Sequence, residues 1–149
     1  MNALMDDNSL NMSGYSIEEI QIGMKRSVSK TITETDIYNF AGIIGDINPL
    51  HVNEEYAKNT RFKTRIAHGM LTASFFSTLV GMCIPGADAI YLGQNLKFLL
   101  HVKIGDTITA TGEVTKIIPE KKIAYMKTTV VNQRGETVIE GEATVMATK

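Results

Sequence analysis

The densest group of side chains able to move protons lies in Gly45-Asp46-Ile47-Asn48-Pro49-Leu50-His51, followed by Ala67-His68-Gly69-Met70. Asp46 and His51 flank a turn that Pro49 fixes, so a carboxylate and an imidazole can be presented to one small volume. Proton transfer to and from one substrate or one water requires that arrangement. A plainer reading competes: Asp and Asn favour turns for backbone reasons, and a His near a helix start can act as a partial cap. Spacing alone leaves both open. Other chemistries have less support. His51, His68 and His101 lack helical i, i+3 or i, i+4 pairing with one another and Cys83 is isolated, so no metal pattern is expected. His68 and His101 read as structural, with His68, beside Gly69, placed to help position the site. Cys83 sits in an apolar run and reads as a packed hydrophobe. Arg61, Lys63 and Arg65 read first as a solvated surface run, with phosphate contact as the alternative.

The elements that must hold these residues can be read from periodicity and caps. Thr33 with Asp36 resembles a capping box, and Ile37, Phe40, Ala41 and Ile44 fall on one face of the helix that follows. Gly45 stops that helix just before Asp46, and Asn53 can cap a short helix through Tyr56 and Ala57. Gly69 to Ile84 is apolar on every face, interrupted only by Ser and Thr, so a buried helix is expected, ended by Pro85-Gly86. Strands are expected over 25–32, 91–102, 107–118, 123–132 and 137–147. In 107–115, Ile108, Ala110, Gly112 and Val114 alternate with Thr107, Thr109, Thr111, Glu113 and Thr115, the pattern of an antiparallel sheet with one covered face. The apolar helix is the available cover. The expected class is therefore α+β, with a curved antiparallel sheet wrapped around a central apolar helix, the hot-dog layout.

The chain's 149 residues suit one such domain and are too few for a doubled one. Residues 1–14 are expected to be a flexible tail and 15–149 the domain. A net charge of −1 gives no broad basic field, so neither a nucleic acid nor a membrane is expected as a partner. One cysteine, and an N-terminus with Asp6 and Asp7 where a signal peptide would be basic, make the cytoplasm the default compartment. Long strands left at a sheet edge favour pairing, so a homodimer or higher homo-oligomer is expected.

GDINPLHVNEEYA, IAHGMLTASFFSTLVG and IYLGQNLKFLLHVKIGDTITATGEV together resemble the MaoC-like hydratases, in particular the (R)-specific enoyl-CoA hydratases, from about Ile17 to Val145. The resemblance implies reversible addition of water to a trans-2-enoyl-CoA, giving a (R)-3-hydroxyacyl-CoA, with short or medium acyl chains expected. It implies that Asp46 and His51 are the catalytic pair and that Asp46 is the better general base on the water. It also implies that the thioester carbonyl sits at the Gly69 N–H and that Ser77 supports the catalytic groups by hydrogen bonding. Asn48 is expected to shape the turn. Ala73, Ser77 and Val80 share a helical face at i, i+4 and i+7, and that face is predicted to line the acyl pocket. Acyl-CoA enters as substrate, no cofactor or metal is expected, and the pathway is left open between polyester supply, fatty-acid turnover and a fermentation route. A thioesterase on the same fold is the alternative. A non-catalytic acyl-CoA-binding module is a third reading, which the filled Asp/His motif disfavours.

Overall fold

The computed structural model describes residues 10–149. Its strands are β1 (Lys25–Thr31), β2 (Ala89–Gln94), β3 (Lys97–Phe98), β4 (Thr107–Ile118), β5 (Ile123–Val131) and β6 (Thr137–Ala147). All pairings are antiparallel in the order β1-β4-β5-β6-β2, with β3 also on β6. The alternation expected for β4 is present: Ile108, Ala110 and Val114 are buried, and Thr107, Thr109 and Thr111 turn to the other face. There they hydrogen-bond Thr31, Ser29 and Ser27 at 2.8, 2.7 and 2.8 Å. These hydroxyl pairs help pin the β1–β4 register, because a one-residue slip would turn every side chain to the wrong face.

The apolar helix is two helices, α4 (Gly69–Ala73) and α5 (Phe75–Met82). They break at Ser74, whose N–H is shared between the carbonyls of Met70 and Leu71 at 2.9 and 3.1 Å, while its hydroxyl donates to Leu71 O at 2.5 Å. Such back-bonding by Ser bends helices. Phe76 and Leu79 are buried in one core cluster with Ile108, Ala110 and Val130. Val80 is buried in a second cluster with Val114, Ala143 and Val145. The expectation of a helix covered all round is corrected here, since Met70, Ser74, Ser77 and Gly81 form an exposed outer face.

Two further expectations change. The stretch 91–102 is not one strand: Asn95 and Leu96 separate β2 from β3, and the Asn95 carbonyl packs so tightly on β6 that a Cβ at Gly141 would stand 2.0 Å from it. Of the tail expected over 1–14, residues 1–9 lie outside the described residues, whereas Asn11 is held against the domain. Its N–H donates to Met82 O at 2.6 Å and its carbonyl accepts from Ala87 N–H at 3.2 Å, satisfying the end of α5. Among the described residues no helix is long and apolar enough to cross a membrane.

Candidate active site

The site begins where α1 (Glu34–Ile44) ends. Thr33 and Asp36 form the reciprocal capping box at its start, with bonds of 2.9 and 3.1 Å, and Gly45 closes it in the left-handed conformation at φ 79°. The chain then turns through Asp46, whose Oδ1 accepts the Asn48 N–H at 3.2 Å. Asn48 in turn caps α2 (Pro49–Val52), its Oδ1 accepting from Leu50 N–H at 3.0 Å, with Pro49 at the first position where its missing N–H costs nothing. Asn48 therefore shapes the turn as expected and touches Asp46 through its backbone N–H. Asn53 caps α3 (Glu54–Ala57), also as expected.

One turn into α2, His51 places Nδ1 2.7 Å from the carbonyl of Ile66. A carbonyl only accepts, so Nδ1 carries the hydrogen, and in the neutral ring Nε2 presents its lone pair. That Nε2 faces Asp46 Oδ2 at 3.9 Å. The folded chain thus brings the predicted pair together as two acceptors looking at a shared gap. The carboxylate is about half exposed and the imidazole mostly buried, with side-chain exposures of 48% and 12%.

His68, read from the sequence as structural and placed to help position the site, completes the cluster. It is buried, stacks on His51 with ring centroids 3.9 Å apart, and places Nε2 2.9 Å from Asp46 O. Ligand-type atoms of Asp46, His51 and His68 lie within 4.8 Å of one another, a grouping that the sequence spacing did not reveal. It suits a metal poorly, because the His68 Nε2 on the Asp46 carbonyl must hold a hydrogen and so is a donor there. The signal available in the sequence was its position immediately before Gly69 at the start of α4.

Gly69 opens α4 after His68, which makes no side-chain cap bond, and it lines a cavity of about 480 Å³ with Thr72, Phe98 and Arg61. The Phe98 ring lies so close that a Cβ on Gly69 would stand 2.7 Å from it. A second cavity of about 580 Å³ runs between Phe40, Ala73, Ser77 and Tyr91, and Met70 lines both. Of the face predicted to line the acyl pocket, Ala73 and Ser77 line this cavity. Val80 does not line it: it is turned into the second core cluster. Ser77 makes no hydrogen bond to Asp46 or His51 among the described residues, since it sits on the exposed outer face beyond the break at Ser74.

The basic residues divide. Arg65 is bound into the protein by Glu34 at 2.7 Å and Glu54 at 2.8 Å and by the Tyr38 hydroxyl. Hydrogen bonds from Arg65 hold the Glu34 and Glu54 carboxyls below the usual carboxylate range. Arg61 lies 4.7 Å above the Phe62 ring at the first cavity.

The family model for the MaoC-like domain matches residues 17–136, which contain every one of these site residues. The chain belongs to the MaoC-like domain family. This MaoC-like domain is 57% identical over 129 residues to an (R)-specific enoyl-CoA hydratase of Rhodospirillum rubrum, covering 87% of the chain and 89% of that relative. It is 42% identical to the (R)-specific enoyl-CoA hydratase of Aeromonas caviae, covering 87% and 97%. Among solved structures, the (R)-hydratase from A. caviae involved in PHA biosynthesis superimposes with a TM-score of 0.85 at 41% identity, over 87% of this chain and 98% of that one. The unliganded R-hydratase of Pseudomonas aeruginosa gives 0.86 at 41% identity, over 90% and 86%. The hot-dog fold of the domain is that of these hydratases.

Proposed function

We infer that the chain is an (R)-specific enoyl-CoA hydratase, a hydro-lyase adding water reversibly across the double bond of a trans-2-enoyl-CoA. The observation that carries this is the Asp46–His51 gap, in a chain so similar to hydratases of that name. Two acceptors 3.9 Å apart match one water donating to both. With each bond at about 2.8 Å the two O–H directions diverge by about 90°, close to a water's own angle, and the oxygen lone pairs stay free to attack C3. As the O–C3 bond forms, one water proton passes to the pair, with Asp46 the proposed base, and the pair returns a proton to C2. The pair ends as it began. The net change is neither oxidation nor reduction, so proton transfers balance the reaction without a cofactor.

Attack at C3 puts negative charge on the thioester oxygen. We place that oxygen at the Gly69 N–H, the first donor of α4, which has no acceptor within its own helix. The acyl chain, short to medium in length, is assigned to the cavity lined by Ala73 and Ser77, which opens beside Met70. Exposed Ile90, Tyr91 and Leu92 on the edge strand β2 support a homodimer formed through that edge.

Incubation with crotonyl-CoA tests the reaction while following enoyl absorbance and free thiol together. Loss of absorbance without thiol is expected, and thiol release at a comparable rate would replace the hydratase by a thioesterase.

A further inference from the structure

His68 is 2% exposed, and its ring is fixed on several sides. One face stacks on His51 with the planes 28° apart, and Phe40 meets it edge-on at a centroid distance of 5.1 Å. Because Nε2 sits 2.9 Å from a carbonyl oxygen, that of Asp46, it is the nitrogen bearing hydrogen. In the neutral ring Nδ1 is then the bare lone pair, and it is buried and without a hydrogen-bond partner among the described residues. A buried imidazole that leaves one nitrogen unsatisfied is not explained by packing alone, because an apolar ring would fill the same space without that desolvation cost.

What the ring does touch is informative. The Asp46 carboxylate is half exposed, and the bond it accepts comes from Asn48, inside the same short turn. That bond does not tie the turn to the body of the domain. The bond from His68 does, since it crosses from α4 to the end of α1. His51 is anchored separately, by Ile66 through Nδ1 and by the His68 ring against its face.

We propose that His68 is a positioning residue for hydration, holding the Asp46 backbone through Nε2–H and backing the His51 ring, so that one side chain sets the gap between the two acceptors. The inference rests on the hydratase reading of the same site. A loss of alignment of about 1 Å between reacting groups can cost about 10²-fold in rate, which is the scale on which the contact matters.

The test uses the full chain and two variants. His68→Phe keeps a flat ring beside His51 and Phe40 but deletes the donor. His68→Gln restores an N–H at about the reach of Nε2 without the ring. For crotonyl-CoA, kcat of His68→Phe is expected to fall about 10- to 100-fold with KM within about twofold. His68→Gln is expected to recover a severalfold part of that loss. A His68→Phe kcat within about twofold of wild type, a loss carried by KM, or a His68→Gln no better than His68→Phe would overturn the proposal. Long-range proton–nitrogen NMR of the wild type gives a readout that needs no variant to fold: His68 with hydrogen on Nε2 and His51 on Nδ1. His68 with hydrogen on Nδ1 instead would overturn the proposal. If the wild type does not hydrate crotonyl-CoA, the hydratase reading fails, and the NMR result still judges the placement of His68.

Discussion

Asp46→Asn and His51→Ala, made singly and together, test whether the two side chains act on one water. In Asp46→Asn the Oδ1 that accepts from Asn48 is retained, so the 3.2 Å turn bond survives. What disappears is the proton-accepting carboxylate 3.9 Å from His51 Nε2. A positioned acid or base contributes about 10²–10⁴-fold, which is about 2.7–5.4 kcal/mol in the barrier. His51→Ala removes the 2.7 Å bond to Ile66 as well as the second acceptor, and a loss in the same range is expected. If each residue acted on its own, the double variant would multiply the losses to about 10⁴–10⁸-fold. If both hold one water, the double variant falls no more than about tenfold below the worse single one. The assay is kcat/KM for crotonyl-CoA by enoyl absorbance, with urea unfolding to confirm that Asp46→Asn, at a half-exposed position, changes stability by less than about 1 kcal/mol. Multiplicative losses, or an Asp46→Asn variant within about tenfold of wild type, would refute the shared-water mechanism.

Other outcomes follow from particular contacts. In Gly69→Ala the added methyl would meet the Phe98 ring at 2.7 Å. That half-exposed ring can turn away, so folding is retained while kcat/KM falls about 10²-fold, and Phe98→Ala added to it recovers part of the loss. A Gly69→Ala enzyme as active as wild type would remove the thioester from this spot. Burial pushes the Asp106 carboxyl up, but Gln133 at 2.7 Å, the Lys103 N–H at 2.9 Å and the Arg134 charge outweigh it and hold it below the usual carboxylate range. A folded pKa below the unfolded one gives stability that is full above about pH 4 and is lost as pH falls through the folded value. Asp106→Asn is therefore expected to be about 1–3 kcal/mol less stable at neutral pH, with the gap closing on acidification, as urea unfolding across pH would measure. A gap independent of pH would contradict this.

The approach of Asp46 to His51 was legible because both sit inside one short run whose turn residues declare themselves, and because Thr33, Gly45 and Asn53 do locally what their types predict. The sheet was legible where side-chain alternation is strict, as in β4. His68 was legible only as a neighbour of Gly69 placed to help position the site; its stacking on His51 and its bond to Asp46 were not, because they join residues brought together only by the fold. The break at Ser74 was hidden by an unbroken apolar pattern, since a serine returning its hydroxyl to Leu71 looks like any other polar interruption. It left Ser77 on an exposed face and Val80 in the core, where even spacing had suggested a common role. The N-terminal segment looked loose by composition, yet the backbone of Asn11 finds partners at the end of α5 that no side-chain pattern announces.

The central claim is tested most directly by the configuration at C3 of the product formed from crotonyl-CoA, resolved by chiral chromatography after hydrolysis of the thioester. The reading of this chain as an (R)-specific hydratase, carried by its 57% identity to a relative of that name, predicts (R)-3-hydroxybutyrate alone. The (S) product, a racemate, or unhydrated acid with stoichiometric thiol release during the enzymatic step would contradict it.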